Sequence, residues 1–133
     1  MLVLIDTSIW VKFFRGGDLN LIQNVQKLIL GNEACICPPI LQEILQGVSD
    51  IKTFEKLSDQ LLSLHFLEAD SKMMAIGAAK LYFQLRKRGV TIRKSMDCLI
   101  ASYALTFDVS FYHADRDFDN VSRHFPLKLF VKY

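Results

Sequence analysis

No segment of this 133-residue chain approaches a membrane span, which needs about 18 or more consecutive apolar residues. The apolar run at the N-terminus is broken at Asp6, too early for the core of a secretion signal, so no leader is expected. Cysteine is scarce. Cys35, Cys37 and Cys98 form no C-x-x-C pair and no cysteine–histidine spacing of the zinc kind. That excludes a disulfide framework and a structural zinc site. It leaves three reduced thiols, expected as small buried hydrophobes in a cytoplasmic protein. His65, His113 and His124 are scattered without metal-ligand spacing and read as structural. Proline, glycine and serine never gather into a linker, and neither repeats nor low-complexity tracts occur. One domain spanning residues 1–133 is expected, long enough to bury a real core. Charge of one sign is also missing: 16 basic against 14 acidic residues give a net charge of +2. This is no strongly basic nucleic-acid-coating protein, although a local basic patch can still meet RNA.

What is abundant is apolar side chain, 51% of the residues, slightly above the usual share. The excess points to surface buried against a partner. Its patterning alternates short strands with helices. Leu2–Ile5 reads as a strand buried on both faces, and Ala34–Cys37, His65–Leu67, Val109–Tyr112 and Leu127–Val131 read as further short strands. Between them, helices are predicted over Ser8–Phe14, closed by Gly16-Gly17, and from an Asp18 cap to Leu30. Others run from Pro39 at a first helical position to Gly47, and over Asp50–Ser63 with an apolar stripe of Ile51, Phe54, Leu57, Leu61 and Leu62. A long helix starts at Asp70 and ends before Gly89. The next is capped by Ser95 and reaches about Thr106, and a short one covers Asp117–Ser122. The fold class is α/β: a three-layer α/β/α sandwich around a mostly parallel sheet of four to five short strands. In such sheets, sites form beyond the carboxyl ends of strands near a topological switch point.

Acidic residues stand at such places. Asp6 ends the first strand, Glu43 sits a turn into its helix, Asp97 lies in a first helical turn, and Asp115 and Asp117 follow the fourth strand. Each has an ordinary explanation. Asp6 can cap a helix, Asp97 can favour a helix dipole, and Glu43 can be a surface glutamate. Together, crowded carboxylates are costly unless a cation neutralises them, and Mg2+ or Mn2+ is the natural occupant. The matching chemistry is metal-assisted phosphodiester hydrolysis. Thr7 and Ser8 can orient the first carboxylate or a water. Spacing does not decide which of Asp115, Asp117 and Asp119 faces a metal. Asp115-Arg116-Asp117 also suits an aspartyl-phosphate phosphatase, and an acidic cleft without catalysis suits a module that binds a basic peptide.

Four short segments, Ile5-Asp-Thr-Ser-Ile9, Pro39-Ile-Leu-Gln-Glu43, Met96-Asp-Cys-Leu-Ile-Ala101 and His113-Ala-Asp-Arg-Asp-Phe118, occur in an order and spacing that resembles the PIN-domain family. Within it the chain is similar to the small VapC-type toxins of toxin–antitoxin pairs. The resemblance implies a Mg2+- or Mn2+-dependent endoribonuclease. It gives metal-site and catalytic roles to Asp6, Glu43, Asp97 and Asp115, with Asp117 auxiliary. His113 stands where the family often has Thr. The resemblance further implies RNA as substrate, products with 5′-phosphate and 3′-hydroxyl ends, and an antitoxin segment seating a basic side chain near the acids.

Basic residues complete the reading. Arg86-Lys87-Arg88 suit a helix C-terminus. Arg93 and Lys94, just before the Asp97 helix, are candidates for phosphate contacts, with Lys12 and Arg15 on the other wall. His113 is close enough to the acids to touch substrate. Trp10, Phe13 and Phe14 form a bulky stripe that either packs inward or anchors a partner. A homodimer that also binds an antitoxin is expected.

Overall fold

The structure, a computed structural model, describes residues 1–130. Its strands are β1 (Val3–Ile5), β2 (Ala34–Ile36), β3 (His65–Phe66) and β4 (Ser110–Tyr112). Its helices are α1 (Thr7–Arg15), α2 (Leu19–Leu30), α3 (Pro38–Gln46), α4 (Ile51–Leu62), α5 (Ser71–Lys87), α6 (Ser95–Phe107) and α7 (Arg116–Ser122). The sheet has the order β3-β2-β1-β4 and every pairing is parallel. Val3 lies against Ala34 on one side and Ser110 on the other, and Leu4 sits between Cys35 and Phe111.

Successive strand residues face opposite sides of a sheet, yet all residues of β1, β2 and β4 are buried. Helices therefore cover both faces, which gives the three-layer arrangement. It also explains why these strands read as continuous apolar runs. Ile5, Ile9, Ile36, Ile40, Phe111 and Phe118 are among the fully buried side chains. Each such residue contributes about 1.5–3 kcal/mol of transfer free energy. From β1 the chain steps through β2 to β3, then returns past β1 to β4. Successive connections thus diverge from β1, and the switch point lies beyond the carboxyl ends of β1 and β4.

Aspartates open most helices. Asp18, Asp50 and Asp70 accept from the backbone N–H of Leu21, Thr53 and Lys72 respectively. Gly16, Gly17 and Gly89 take positive φ where α1 and α5 stop, a conformation that costs glycine little. Three boundaries differ from the sequence reading. Pro38, not Pro39, is the first residue of α3, because Cys37 takes the extended cap position. Lys94 holds the cap position of α6, without a side-chain cap bond, and Ser95 is already helical. The expected strand at Leu127–Val131 reduces, among the described residues, to one parallel bridge between Leu129 and Phe111. Val131 lies outside the described residues. No helix is long and apolar enough to cross a membrane among the described residues.

The apolar stripe of α4 also departs from expectation. Only Leu61 is buried, while Ile51, Phe54 and Leu62 remain exposed. The aromatic stripe of α1 divides: Trp10 is buried, Phe13 half-buried and Phe14 exposed. All three cysteines are free and buried. Burial pushes the thiols of Cys35 and Cys37 up to about 12 and Cys98 up to about 11, so none is a ready nucleophile.

Candidate metal centre

The corner between β1 and α1 is built on Asp6. Its backbone N–H donates to the Tyr112 carbonyl at 2.9 Å, extending the β1–β4 ladder by one residue. Its carboxylate Oδ2 then accepts from the Ser8 N–H at 3.1 Å and the Ser8 hydroxyl at 2.6 Å. Asp6 is thus a helix cap and also a buried carboxylate at the switch point. Ser8 Oγ in turn accepts from the Ala114 N–H at 3.0 Å, tying this corner to the loop after β4. Thr7 Oγ1 donates to Glu43 Oε1 at 2.7 Å, tying it to α3. Thr7 and Ser8, expected to orient the first carboxylate or a water, tie Glu43, Asp6 and the loop after β4 together.

Opposite Asp6, α6 delivers Asp97. Seven residues of α6 are buried, Asp97 among them, so the helix mouth carries its carboxylate into the protein. Asp115 caps α7, accepting the Asp117 N–H at 3.0 Å on Oδ1. That turn swings Asp117 inward as well, where it is buried. Asp97, Asp115 and Asp117 each offer one oxygen atom, and these atoms lie within 4.8 Å of one another. Carboxylates so close suit a single cation. Asp97 supplies a further sign: its Oδ2 is buried and has no hydrogen-bond partner among the described residues. A buried acceptor left unpaired is costly, and a hard cation that takes oxygen ligands satisfies it.

Electrostatics point the same way. Burial, then the charges of Asp6 and Asp115, push the Asp97 carboxyl up to about 7, with Glu43 adding a smaller push and Lys94 opposing. Asp6 is also raised, by burial first, against the lowering hydrogen bonds from Ser8 and with a further push from Glu43. Asp97, Asp115 and Asp117 form the closest group of carboxylates, and Asp6 and Glu43 lie near enough to act on Asp97 through charge.

Of the basic side chains expected near the cleft, Arg93 meets the acids directly. Arg93 is exposed but its guanidinium is engaged with the acids. Its Nε donates to Asp117 Oδ2 at 3.1 Å and its Nη2 to Asp115 Oδ1 at 3.2 Å. Lys12, Arg15 and Lys94 are exposed. The His113 side chain is covered. Its Nδ1 accepts the Asp115 N–H at 3.0 Å and its Nε2 lies 3.3 Å from Asp119 Oδ1. This fixes the neutral tautomer with the proton on Nε2, and burial holds the ring below its ordinary pKa of 6.5. His113 braces the β4–α7 turn by pairing with Asp119, which is not part of the close aspartate trio. The Arg93 pairing and the Ser8 bridge were not foreseen from sequence. No local pattern announces them, because both join segments far apart in the chain.

A parallel sheet with a carboxylate crevice at its switch point defines an α/β protein with an acidic cluster of the kind that suits a metal ion. The chain belongs to the PIN-domain family, whose model, described as the PIN domain, matches residues 3–124, and within it to the VapC ribonucleases. Ribonuclease VapC11 of Mycobacterium tuberculosis is 36% identical over 124 residues, covering 92% of each chain. VapC ribonuclease Mb1587 of Mycobacterium bovis matches with the same identity and coverage. Among solved structures, VapBC2 from Rickettsia felis, bound to a DNA fragment from its promoter, superposes with a TM-score of 0.76. It is 22% identical and the match covers 98% of both chains. That likeness is one of fold.

Proposed function

We propose that this chain is the endoribonuclease toxin of a toxin–antitoxin pair, hydrolysing RNA with Mg2+ or Mn2+ held by Asp97, Asp115 and Asp117 together with Asp6 and Glu43. The observation that carries the reading is the unpaired buried Oδ2 of Asp97 beside a trio of oxygens spaced for one ion. When bound, the cation supplies Lewis-acid charge for the phosphate and makes water nucleophilic at neutral pH. The protein's own residues supply placement. Ser8 and Thr7 lock Asp6 and Glu43 in position, and the α7 cap fixes Asp115 and Asp117 relative to each other. Exposed Lys12, Arg15 and Lys94 give the rim positive charge for RNA phosphates, which position a strand without reading its sequence. An aspartyl-phosphate mechanism is disfavoured. It needs a dedicated lysine beside its aspartates, and the cation paired with Asp115 and Asp117 is Arg93.

Partners follow from exposed apolar surface. Trp10, Phe13, Phe14, Ile29, Leu57 and Leu61 line a groove between α1, α2 and α4. A neighbouring groove shares Phe14 and Leu57 and adds Val11 and Val48. An antitoxin helix with an apolar face fits there. Met73, Ile76 and Phe83 are exposed along α5 and suit a homodimer contact. Three free buried thiols suit a cytoplasmic setting.

The test is incubation of the purified protein with structured and unstructured RNA in Mg2+ or EDTA, with analysis of product ends. Mg2+-dependent cuts leaving 5′-phosphate and 3′-hydroxyl ends are expected. Cleavage that persists in EDTA, or 2′,3′-cyclic phosphate ends, overturns the reading.

A further inference from the structure

We propose that Arg93 is the resident counter-ion of the acidic crevice, holding Asp115 and Asp117 until a divalent cation displaces it, so that this arginine sets the metal concentration at which the site loads. The inference rests on the metal-site reading above and adds a regulatory element to it.

The geometry is specific. One guanidinium bridges two carboxylates, Nε to Asp117 Oδ2 at 3.1 Å and Nη2 to Asp115 Oδ1 at 3.2 Å. Those two aspartates belong to the trio whose oxygens are spaced for an ion. A guanidinium and a divalent cation on the same small oxygen set repel each other, so tight binding of the second requires movement of the first. Arginine does not lose its proton in proteins. Its two aspartates raise its pKa further. It can therefore leave only by swinging away.

The surrounding chain permits that motion. The Arg93 side chain is 60% exposed, whereas the side chain of Asp117 is 6% exposed. The arginine is the partner free to move. Its backbone is held in place: neighbouring Ile92 is buried in the core, and the Val90 N–H is bonded to the Leu85 carbonyl. The segment between α5 and α6 thus delivers the guanidinium to one spot without enclosing it. Asp97, the third member of the trio, receives no bond from Arg93. It stays unpaired at Oδ2, and so the arginine satisfies the crevice only in part. That leaves a driving force for a metal to replace it.

The experiment measures Mn2+ binding to the full chain by titration calorimetry and by loss of the free Mn2+ paramagnetic resonance signal. Wild type, Arg93→Gln and Arg93→Lys are compared at pH 7.5. The expected result is a lower Kd for Arg93→Gln by at least about threefold, the scale of an exposed charged pair. Arg93→Lys should lie between the two, since a single ammonium cannot fork across both aspartates. In EDTA, Arg93→Gln should melt below wild type, because its carboxylates repel unopposed. A second readout needs no variant. The Arg93 Nε–H resonance of wild type should exchange slowly with solvent in EDTA and rapidly in saturating Mg2+. Equal or weaker Mn2+ binding by Arg93→Gln, or an Arg93 Nε–H that stays protected in Mg2+, overturns the proposal and leaves the metal site standing. A wild type that binds no Mn2+ overturns both.

Discussion

Replacing Asp97 by asparagine should stabilise the metal-free protein, although it removes a residue at the centre of the candidate site. The reason is the carboxyl's rise from 3.8 to about 7, driven by burial and by Asp6 and Asp115. In the folded chain the group stays protonated up to neutral pH, whereas in the unfolded chain it ionises near 4. The folded state thus binds an extra proton between those values, and stability falls as pH rises through that window. At about 1.36 kcal/mol per pH unit, the ceiling is about 4 kcal/mol. Relaxation of the crevice and loss of a favourable acid in the first turn of α6 reduce the net gain to about 1–3 kcal/mol. Urea unfolding in EDTA from pH 4 to 8 measures it. Wild type and Asp97→Asn should coincide near pH 4 and separate steadily, with the variant ahead and the gap complete by about pH 8. Saturating Mn2+ should reverse the order, because a ligand at a hundred times its dissociation constant stabilises wild type by about 2.7 kcal/mol. A variant less stable than wild type at pH 8 in EDTA would show that the carboxylate is a structural cap, and the reasoning would fail.

Ser8→Ala removes the hydroxyl that links Asp6 to Ala114; a loss of about 1–2 kcal/mol is expected by urea unfolding, together with weaker Mn2+ binding. His113 is held neutral by burial, below its ordinary pKa of 6.5. Its contribution is therefore present above pH 6.5 and lost as pH falls through the lower folded value. His113→Gln should flatten that acid-side loss in melts between pH 7 and 4.5, and an unchanged slope relative to wild type would refute the assignment. Phe14 is 49% exposed. Phe14→Glu should cost only about 1 kcal/mol yet abolish co-purification with the antitoxin. Retained capture at wild-type yield would place the partner elsewhere.

The sheet was legible because burial on both faces leaves an unmistakable mark: Val3, Leu4 and Ile5 have no polar neighbour to alternate with. Helix starts were legible wherever an aspartate caps, as at Asp18, Asp50 and Asp70. The start of α6 misled because its cap position is filled by Lys94, which makes no side-chain cap bond. For the site, strand-end position marked Asp6 and Asp115 as candidates, while the roles expected of Glu43 and Asp97 came from the resemblance of four short motifs to a known family. Their division into a tight trio and a braced pair was not legible. It depends on Asp115 capping α7 and on Asp117 being buried beside it. Arg93 was read as a phosphate-contact candidate near the cleft; its pairing with two carboxylates 22 and 24 residues later was not legible. The α4 stripe shows a different limit. Apolar periodicity marks a face to be covered, and Ile51, Phe54 and Leu62 remain exposed.

The most direct measurement of the central claim is the single-turnover rate of RNA cleavage as Mg2+ is titrated, for wild type and Asp97→Asn side by side. Wild type should be silent in EDTA and saturate with Mg2+, in step with metal-induced stabilisation in melts of the same samples. Asp97→Asn should remain folded and lose at least about a hundredfold in rate, the scale set by removing preorganised charge from a reaction centre. Cleavage by a folded Asp97→Asn at near wild-type rate in Mg2+ would contradict the account.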